Sequence, residues 1–163
     1  MDRRSFAATL VAVPTLTALG YASWRYLRHK DEHTCRACSR PVHAQTRTIA
    51  AIESKRGVYC CLACALSEHR QLGMPVQIVE LADYLGGPAM MPSDAFLVQG
   101  SEINPCKGQS TAVTTDKQPM HSHFDRCSPS MLAFRDRKSA QKLAAEHGGQ
   151  VIAFSEMASQ FSR

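Results

Sequence analysis

Two Cys-x-x-Cys pairs, Cys35-Arg36-Ala37-Cys38 and Cys61-Leu62-Ala63-Cys64, stand 22 residues apart and constrain this chain more than any other feature. A Cys-x-x-Cys turn brings two sulfurs within reach of one ion. The second pair opens a predicted helix, so Cys61 and Cys64 share a face near its positive end, where the thiolate form is favoured. Four converging sulfurs define a tetrahedral site that suits Zn(II) and also holds Cu(I). A pair of disulfides is the competing reading, permitted in an oxidising compartment. Two tight pairs joined through a hairpin fit a zinc-knuckle geometry better than a staple across loops. Cys60 is an additional thiol at a strand end, open to a role as substitute ligand, disulfide partner or buried residue. His69, five residues past Cys64, reads as an exposed helix residue.

The pairs sit inside a repeated pattern. A β-branched stretch from Thr46 to Ile52 is followed by a turn at Ser54-Lys55-Arg56-Gly57 and a short strand from Val58 to Cys60. A helix from about Cys61 to Leu72 comes next, with Gly73 as its stop, Pro75 preventing continuation, and a strand from Val76 to Leu81. Later in the chain come a strand from Ala95 to Gln99, a long insertion, and a strand from Met131 to Phe134. A helix follows from the N-cap candidate Asp136 to His147, then Gly148-Gly149, a strand from Val151 to Phe154 and a last short helix. Each copy reads strand, strand, helix, glycine, strand, with Gly86-Gly87-Pro88 as the linker. Ala140, Leu143 and Ala144 lie on one helical face and form candidate core. The predicted fold is α+β: an N-terminal transmembrane helix and two small pseudo-repeated β-β-α-β units packed as a pseudo-dimer. Units of this size need metal or disulfide cross-links for stability. The predicted boundaries are 1–30 for an anchor or signal segment, 31–87 for a Cys-rich metal-binding unit and 88–163 for the second unit.

The insertion in the second unit carries its own ligands: Cys106, Met120, His121, His123, Cys127 and Met131. Thioether, imidazole and thiol together match Cu(I), which accepts two to four soft ligands in flexible geometry, and reject hard ions such as Mg(II). These residues are spread along the insertion without a tight spacing motif. The competing reading is a loop in which Cys106 and Cys127 form a disulfide and the Met and His residues are incidental. Met90-Met91 on the linker either extends this cluster or plugs the interface between units, the latter being the better fit.

The net charge of +5 dissolves as a nucleic-acid signal once it is split by position. Residues 1–30 hold five basic side chains and one acid, whereas the remaining 133 residues hold 14 basic and 13 acidic side chains, too balanced to attract a polyanion. No nucleic-acid partner is expected. The basic excess flanks Phe6 to Trp24, a charge-free run long enough to span the hydrocarbon core of a bilayer. Pro14 and an Ala/Thr-rich composition weaken insertion, and Arg3-Arg4-Ser5-Phe6 with Ala18-Leu19-Gly20 also fits a cleaved twin-arginine export signal. The third reading is a buried soluble helix. The anchor and signal readings both place the body outside the cytoplasm, facing the periplasm or cell exterior, with the membrane itself as a partner.

Catalysis is disfavoured. Cys61-Leu62-Ala63-Cys64 lacks the aromatic and proline surroundings and the preceding βαβ pattern of a thioredoxin-like redox centre. No Ser-His-Asp arrangement, phosphate-cradling Gly loop or paired carboxylates occur.

The two-unit layout, Ala133-Phe134 followed by a helix, and the run from Glu146 through His147-Gly148-Gly149-Gln150-Val151-Ile152-Ala153-Phe154 to Met157 resemble the NosL-type family. These are membrane-tethered copper chaperones named after nitrous oxide reductase assembly. Cys35-x-x-Cys38 and Tyr59-Cys60-Cys61-Leu62-Ala63-Cys64 are similar too, in a pattern shared with small treble-clef-like metal modules. The resemblance covers most of residues 35–157. It implies an extracytoplasmic Cu(I)-binding accessory protein that hands metal to a client metalloenzyme or metal-transport protein. Where the family commonly has Cys-Gly-Met, with the Met as a copper ligand, this chain reads Cys38-Ser39-Arg40. That departure favours structural zinc at Cys35, Cys38, Cys61 and Cys64, with copper carried by the Cys106 to Met131 region. The family's usual anchor is a lipidated Cys, and here the apolar segment takes that role. The competing functional class is a zinc- or disulfide-stabilised protein-interaction module without metal transfer.

Overall fold

The computed structural model describes residues 20, 21, 23–25, 32–106 and 125–158. Strands β1 (Thr48–Ile52) and β2 (Lys55–Tyr59) form a hairpin whose two-residue turn is Glu53-Ser54, both at positive φ, 46° and 71°. Two positive φ values match the right-handed twist of the flanking strands. The turn therefore falls earlier than the sequence suggests. Gly57 is not in it but pairs with Ala50, and an added Cβ there would meet Arg36 Cδ at 2.8 Å. Helix α1 (Leu62–Leu72) follows directly, and Gly73 closes it at φ 65° with its N–H on the His69 carbonyl, 2.9 Å away. β3 (Val76–Leu81) then pairs with β1, giving an antiparallel sheet in the order β2-β1-β3.

A 3-10 turn at Pro92–Asp94 leads into β4 (Phe96–Gln99), and β5 (Met131–Phe134) pairs beside it. After α2 (Arg137–His147), β6 (Gln150–Ala153) flanks β4 on the other side, and α3 (Phe154–Ala158) ends the described chain. This second antiparallel sheet has the order β5-β4-β6. In both sheets the first strand in sequence is central, the next two flank it, and a helix connects those two. The fold is α+β, and the repeat legible in the sequence is a repeat of topology.

The main core draws on both sheets. Ala50, Ile52, Tyr59 and Leu81 from the first meet Leu97, Met131 and Ala133 from the second, joined by Met157 of α3. β5 is buried on both faces: Met131 and Ala133 point into this shared core, while Leu132 and Phe134 join Val98 and Ala140 in a second cluster under α2. That division is the two-residue period of a strand. Leu143 and Ala144 pack partly buried against the second cluster, on the face of α2 expected to be core. Met90 is buried in the shared core and bridges Leu81, whereas its neighbour Met91 is exposed.

The first half of α1 is buried all round, from Leu62 to Ser67, and α1 touches strands of both sheets. A helix enclosed on every side belongs to an interior, not a surface. Full burial of Leu62 and Leu66 contributes about 1.5–3 kcal/mol each. The same burial places the N-terminus of α1, and with it the second Cys-x-x-Cys pair, at the centre of the molecule.

Residues 20, 21 and 23–25 are helical, and among the described residues no helix is long and apolar enough to cross a membrane. Most of the expected membrane helix from Phe6 to Trp24 lies outside the described residues.

Candidate metal centre

All seven cysteines of the chain gather at the N-terminus of α1, and all are free thiols. Cys35 and Cys38 come from a tight loop in which the Ser39 amide donates to the Cys35 carbonyl at 2.9 Å and the Cys35 amide to the Arg40 carbonyl at 2.8 Å. Ser39 takes φ 58° to close that turn. The Arg36 amide donates to the Val58 carbonyl at 2.9 Å, which pins the loop to the end of β2. Cys60 continues β2, Cys61 is the N-cap residue of α1 with extended backbone and no side-chain cap bond, and Cys64 lies in the helix's first turn. Cys106 and Cys127 arrive from the two ends of the insertion between β4 and β5.

The sulfurs fall into two overlapping sets, each with all its ligand atoms within 4.8 Å of one another: Cys35, Cys38, Cys60 and Cys64, and Cys60, Cys61, Cys64 and Cys127. Cys60 Sγ is the hub, 3.5 Å from Cys38, 3.9 Å from Cys61, 3.6 Å from Cys64 and 3.6 Å from Cys127. Cys64 and Cys127 are 3.4 Å apart. A tetrahedral ion bound to sulfur at about 2.3 Å has S···S edges of about 3.8 Å, and these spacings are close to that edge length. Cys106 stands beside the cage, its Sγ 3.8 Å from the Cys60 carbonyl oxygen.

The cage joins segments far apart in sequence, and polar contacts hold them. Arg40 Nη1 donates to Asp125 at 2.9 and 3.1 Å, to the Cys106 carbonyl at 3.2 Å and to Cys127 Sγ at 3.4 Å. Arg126 donates to the Ala37 carbonyl at 2.6 Å. Asn104 donates to the Cys127 carbonyl at 2.9 Å and accepts from the Cys106 amide at 3.1 Å. The Cys127 amide donates to Asp125 Oδ1 at 2.9 Å. Burial pushes the Asp125 carboxyl up, but the Arg40 guanidinium and the Cys127 amide outweigh it and hold it below the usual carboxylate range.

Protons are unevenly shared among the thiols. Cys60 is pushed up by its contacts with Cys106, Cys127, Cys35 and Cys38, and Cys64 by those with Cys127, Cys35 and Cys38. Cys61 is lowered to about 5, chiefly by hydrogen bonding from Cys106. For Cys38 the Cys127 contact raises the value, but bonds from Cys35, Cys60 and Cys64 prevail and lower it to about 3. Cys35 behaves alike: Cys38 raises it, and Cys60 and Cys64 bring it down to about 6. Cys127 is also lowered, its contact with Cys106 being outweighed by Cys38, Cys60 and Cys61. Sulfurs packed within hydrogen-bonding distance of one another, with a guanidinium alongside, suit a soft cation.

Six of the seven thiols are buried; Cys38 is half-buried. It lines a shallow cavity of about 350 Å³ with Ala37, Ser39, Arg40, Asp125 and Arg126. A larger cavity, of about 930 Å³, reaches the other cysteine of the same loop, Cys35, from the side of Arg47 and Val58.

Cys35, Cys38 and Cys64 share a set, but its fourth member is Cys60 rather than Cys61, which belongs to the other set. Cys127 and Cys106, expected in a separate site on the insertion, stand with the first unit's cysteines instead. Met131 lies on β5 and lines a different cleft, of about 520 Å³, with His69, Gln150 and Met157 and no cysteine. Met120, His121 and His123 lie outside the described residues. Sequence reasoning missed the part of Arg40, Asp125 and Arg126, because an ion pair 85 residues apart has no spacing signature.

No protein-family model matches this chain, and no curated protein sequence matches it. Among solved structures it is similar to the copper chaperone NosL from Shewanella denitrificans. Identity is 14%, the match covers 77% of this chain and 90% of that one, and the TM-score is 0.46.

Proposed function

We propose that this chain is a membrane-anchored, extracytoplasmic accessory protein that carries copper and passes it to a client metalloenzyme or metal-transport protein. The observation that carries the reading is the convergence of six cysteines on one cage, with Cys106 beside it and Cys38 alone only half-buried. An all-sulfur donor set selects soft ions, Cu(I) foremost. Transfer by ligand exchange requires an incoming donor to reach the ion while other ligands still hold it. Cys38 is placed for that step: a partner's sulfur entering the cavity beside Arg40 and Arg126 displaces Cys38 first, and the buried sulfurs follow. The charge-free run from Phe6 to Trp24 and its basic flanks supply the tether.

Full-length protein, purified anaerobically with reduced thiols, tests the carrier reading by competition for Cu(I) with a chromophoric chelator. A carrier holds Cu(I) and yields it at a rate that rises with chelator concentration, and Cys38→Ser, which removes the ligand that leaves first, speeds that release about tenfold or more, a barrier change of about 1.4 kcal/mol. A reporter fused after Arg163 tests the location and is active only outside the cytoplasm.

The burial of the other six sulfurs favours a second reading, a closed zinc site that holds together an interaction module. Zinc that survives Cu(I) challenge, with no copper bound, selects it.

A further inference from the structure

We propose that the cage is binuclear: Cys60 and Cys64 bridge two Cu(I) ions, with Cys35 and Cys38 as terminal ligands of one and Cys61 and Cys127 as terminal ligands of the other. This rests on the copper-carrier reading for the identity of the metal. Its geometry stands apart from it.

A single tetrahedral ion uses four sulfurs, and this cage offers six, with Cys106 beside it. The surplus is not scattered. Two four-cysteine sets each satisfy the distance requirement of one ion, and they have two members in common, Cys60 and Cys64. Two tetrahedra that share two corners share an edge, so the common sulfurs bridge. Six cysteines are thereby used, and Cys106 is left as a buried thiol against the Cys60 carbonyl.

The length of the shared edge distinguishes between metals. With Cys60 and Cys64 sulfurs 3.6 Å apart, an ion about 2.3 Å from each lies about 1.4 Å from the midpoint of the edge. Two such ions are therefore separated by at most about 2.9 Å. Coulomb repulsion at that separation is four times larger for two divalent ions than for two monovalent ones. The short edge suits Cu(I). Each thiol that ligates loses its proton, and the Arg40 guanidinium, 3.4 Å from Cys127, offsets part of the negative charge.

The second ion ties the two sheets together. Cys35, Cys38, Cys60, Cys61 and Cys64 precede β3, whereas Cys127 precedes β5 and completes only the second set. The first ion is held within one part of the chain; the second is held across both.

The test is anaerobic titration of the reduced full-length protein with Cu(I), read by metal analysis and by X-ray absorption at the copper edge. Two Cu(I) per chain with a short copper–copper vector are expected. Cys127→Ser keeps one ion and loses the vector, and Cys35→Ser does likewise from the other side. Cys64→Ser loses both ions, with circular dichroism confirming that the chain still folds. If that variant unfolds, Cys127→Ser and Cys35→Ser decide the matter alone. One Cu(I) per chain, or Cys127→Ser that still binds two with the vector intact, overturns the binuclear assignment and leaves the carrier reading standing. Two Zn(II) per chain that Cu(I) does not displace overturns the carrier reading and the choice of Cu(I), while the shared edge survives.

Discussion

The two sheets share one strand order and place a helix at the same point, yet the N-termini of those helices differ in kind. α2 begins conventionally: Asp136 accepts from the Ser139 amide at 2.9 Å, and its carboxyl is held below the usual range by that backbone bond and by the Ser139 hydroxyl. The helix then lies on the surface with only Ala140 fully buried. α1 begins with Cys61, which makes no cap bond, and its first half is enclosed. One copy of the topology gives its helix start a capping oxygen. The other leaves the helix amides uncapped and surrounds them with sulfur. The comparison teaches that the same connection can serve stability or chemistry, depending on which residue sits at the cap.

Metal removal should separate the two copies most sharply. A structural thiolate site contributes on the order of 10 kcal/mol in small zinc modules. Chelating metal from the loaded protein should raise amide exchange across β1–β3 and α1 far more than across β4–β6 and α2. Equal deprotection of both would show that the sheets unfold as one and that the contrast is only local.

Helix burial gives the next largest difference. Leu66→Ala empties a fully buried site in α1 and should cost about 2–5 kcal/mol by denaturant unfolding, against about 1 kcal/mol for Leu143→Ala, which is only partly buried in α2. Similar losses would mean that α1 is no more central than α2.

Arg40→Gln removes the clasp between the Cys35–Cys38 loop and the insertion. Asp125, with 13% of its side chain exposed, keeps its charge but loses its partner. Allowing for that partial exposure, a loss of about 1–2 kcal/mol is expected, together with weaker Cu(I) retention. Unaltered copper affinity would show that the clasp acts on the fold alone.

The smallest effect carries opposite signs. Cys61→Ser puts a capping oxygen at the start of α1, so the metal-free protein should gain up to about 1 kcal/mol, while the loaded protein loses metal affinity. Asp136→Ala should lower the melting temperature slightly and leave metal content untouched. If Cys61→Ser destabilises the metal-free chain, packing rather than capping governs that position.

The order of strands and helices was readable because each element carries a local signal: β-branched alternation, Asp136 before a helix, and Gly73 and Gly148 after one. In the first hairpin Gly57 has the character of a turn residue and points to a turn at Ser54–Gly57, whereas Glu53 and Ser54 adopt the positive φ values. Gly57 is needed instead where Arg36 crosses the strand. For the candidate site, Cys-x-x-Cys spacing identifies pairs but not which sulfurs face one another. Cys60 and Cys61 lie on either side of the strand-to-helix corner, and three-dimensional packing assigns Cys60 to the Cys35 set. The approach of Cys127 to Cys64 spans 63 residues and depends on β5 pairing with β4, which no local pattern encodes.

That long span has a consequence for the order of events during synthesis. A nascent chain made as far as Leu81 already contains five cysteines and all three strands of the first sheet. Cys127 follows 46 residues later and reaches the cage only when the segment before β5 docks, fastened by Arg40 to Asp125 and by Arg126 to Ala37. The cage is thus completed late, when the second sheet has formed. A chain that stops short of Cys127 presents the first five thiols with the second four-sulfur set one member short, so a complete cage is itself a certificate that both sheets are in place.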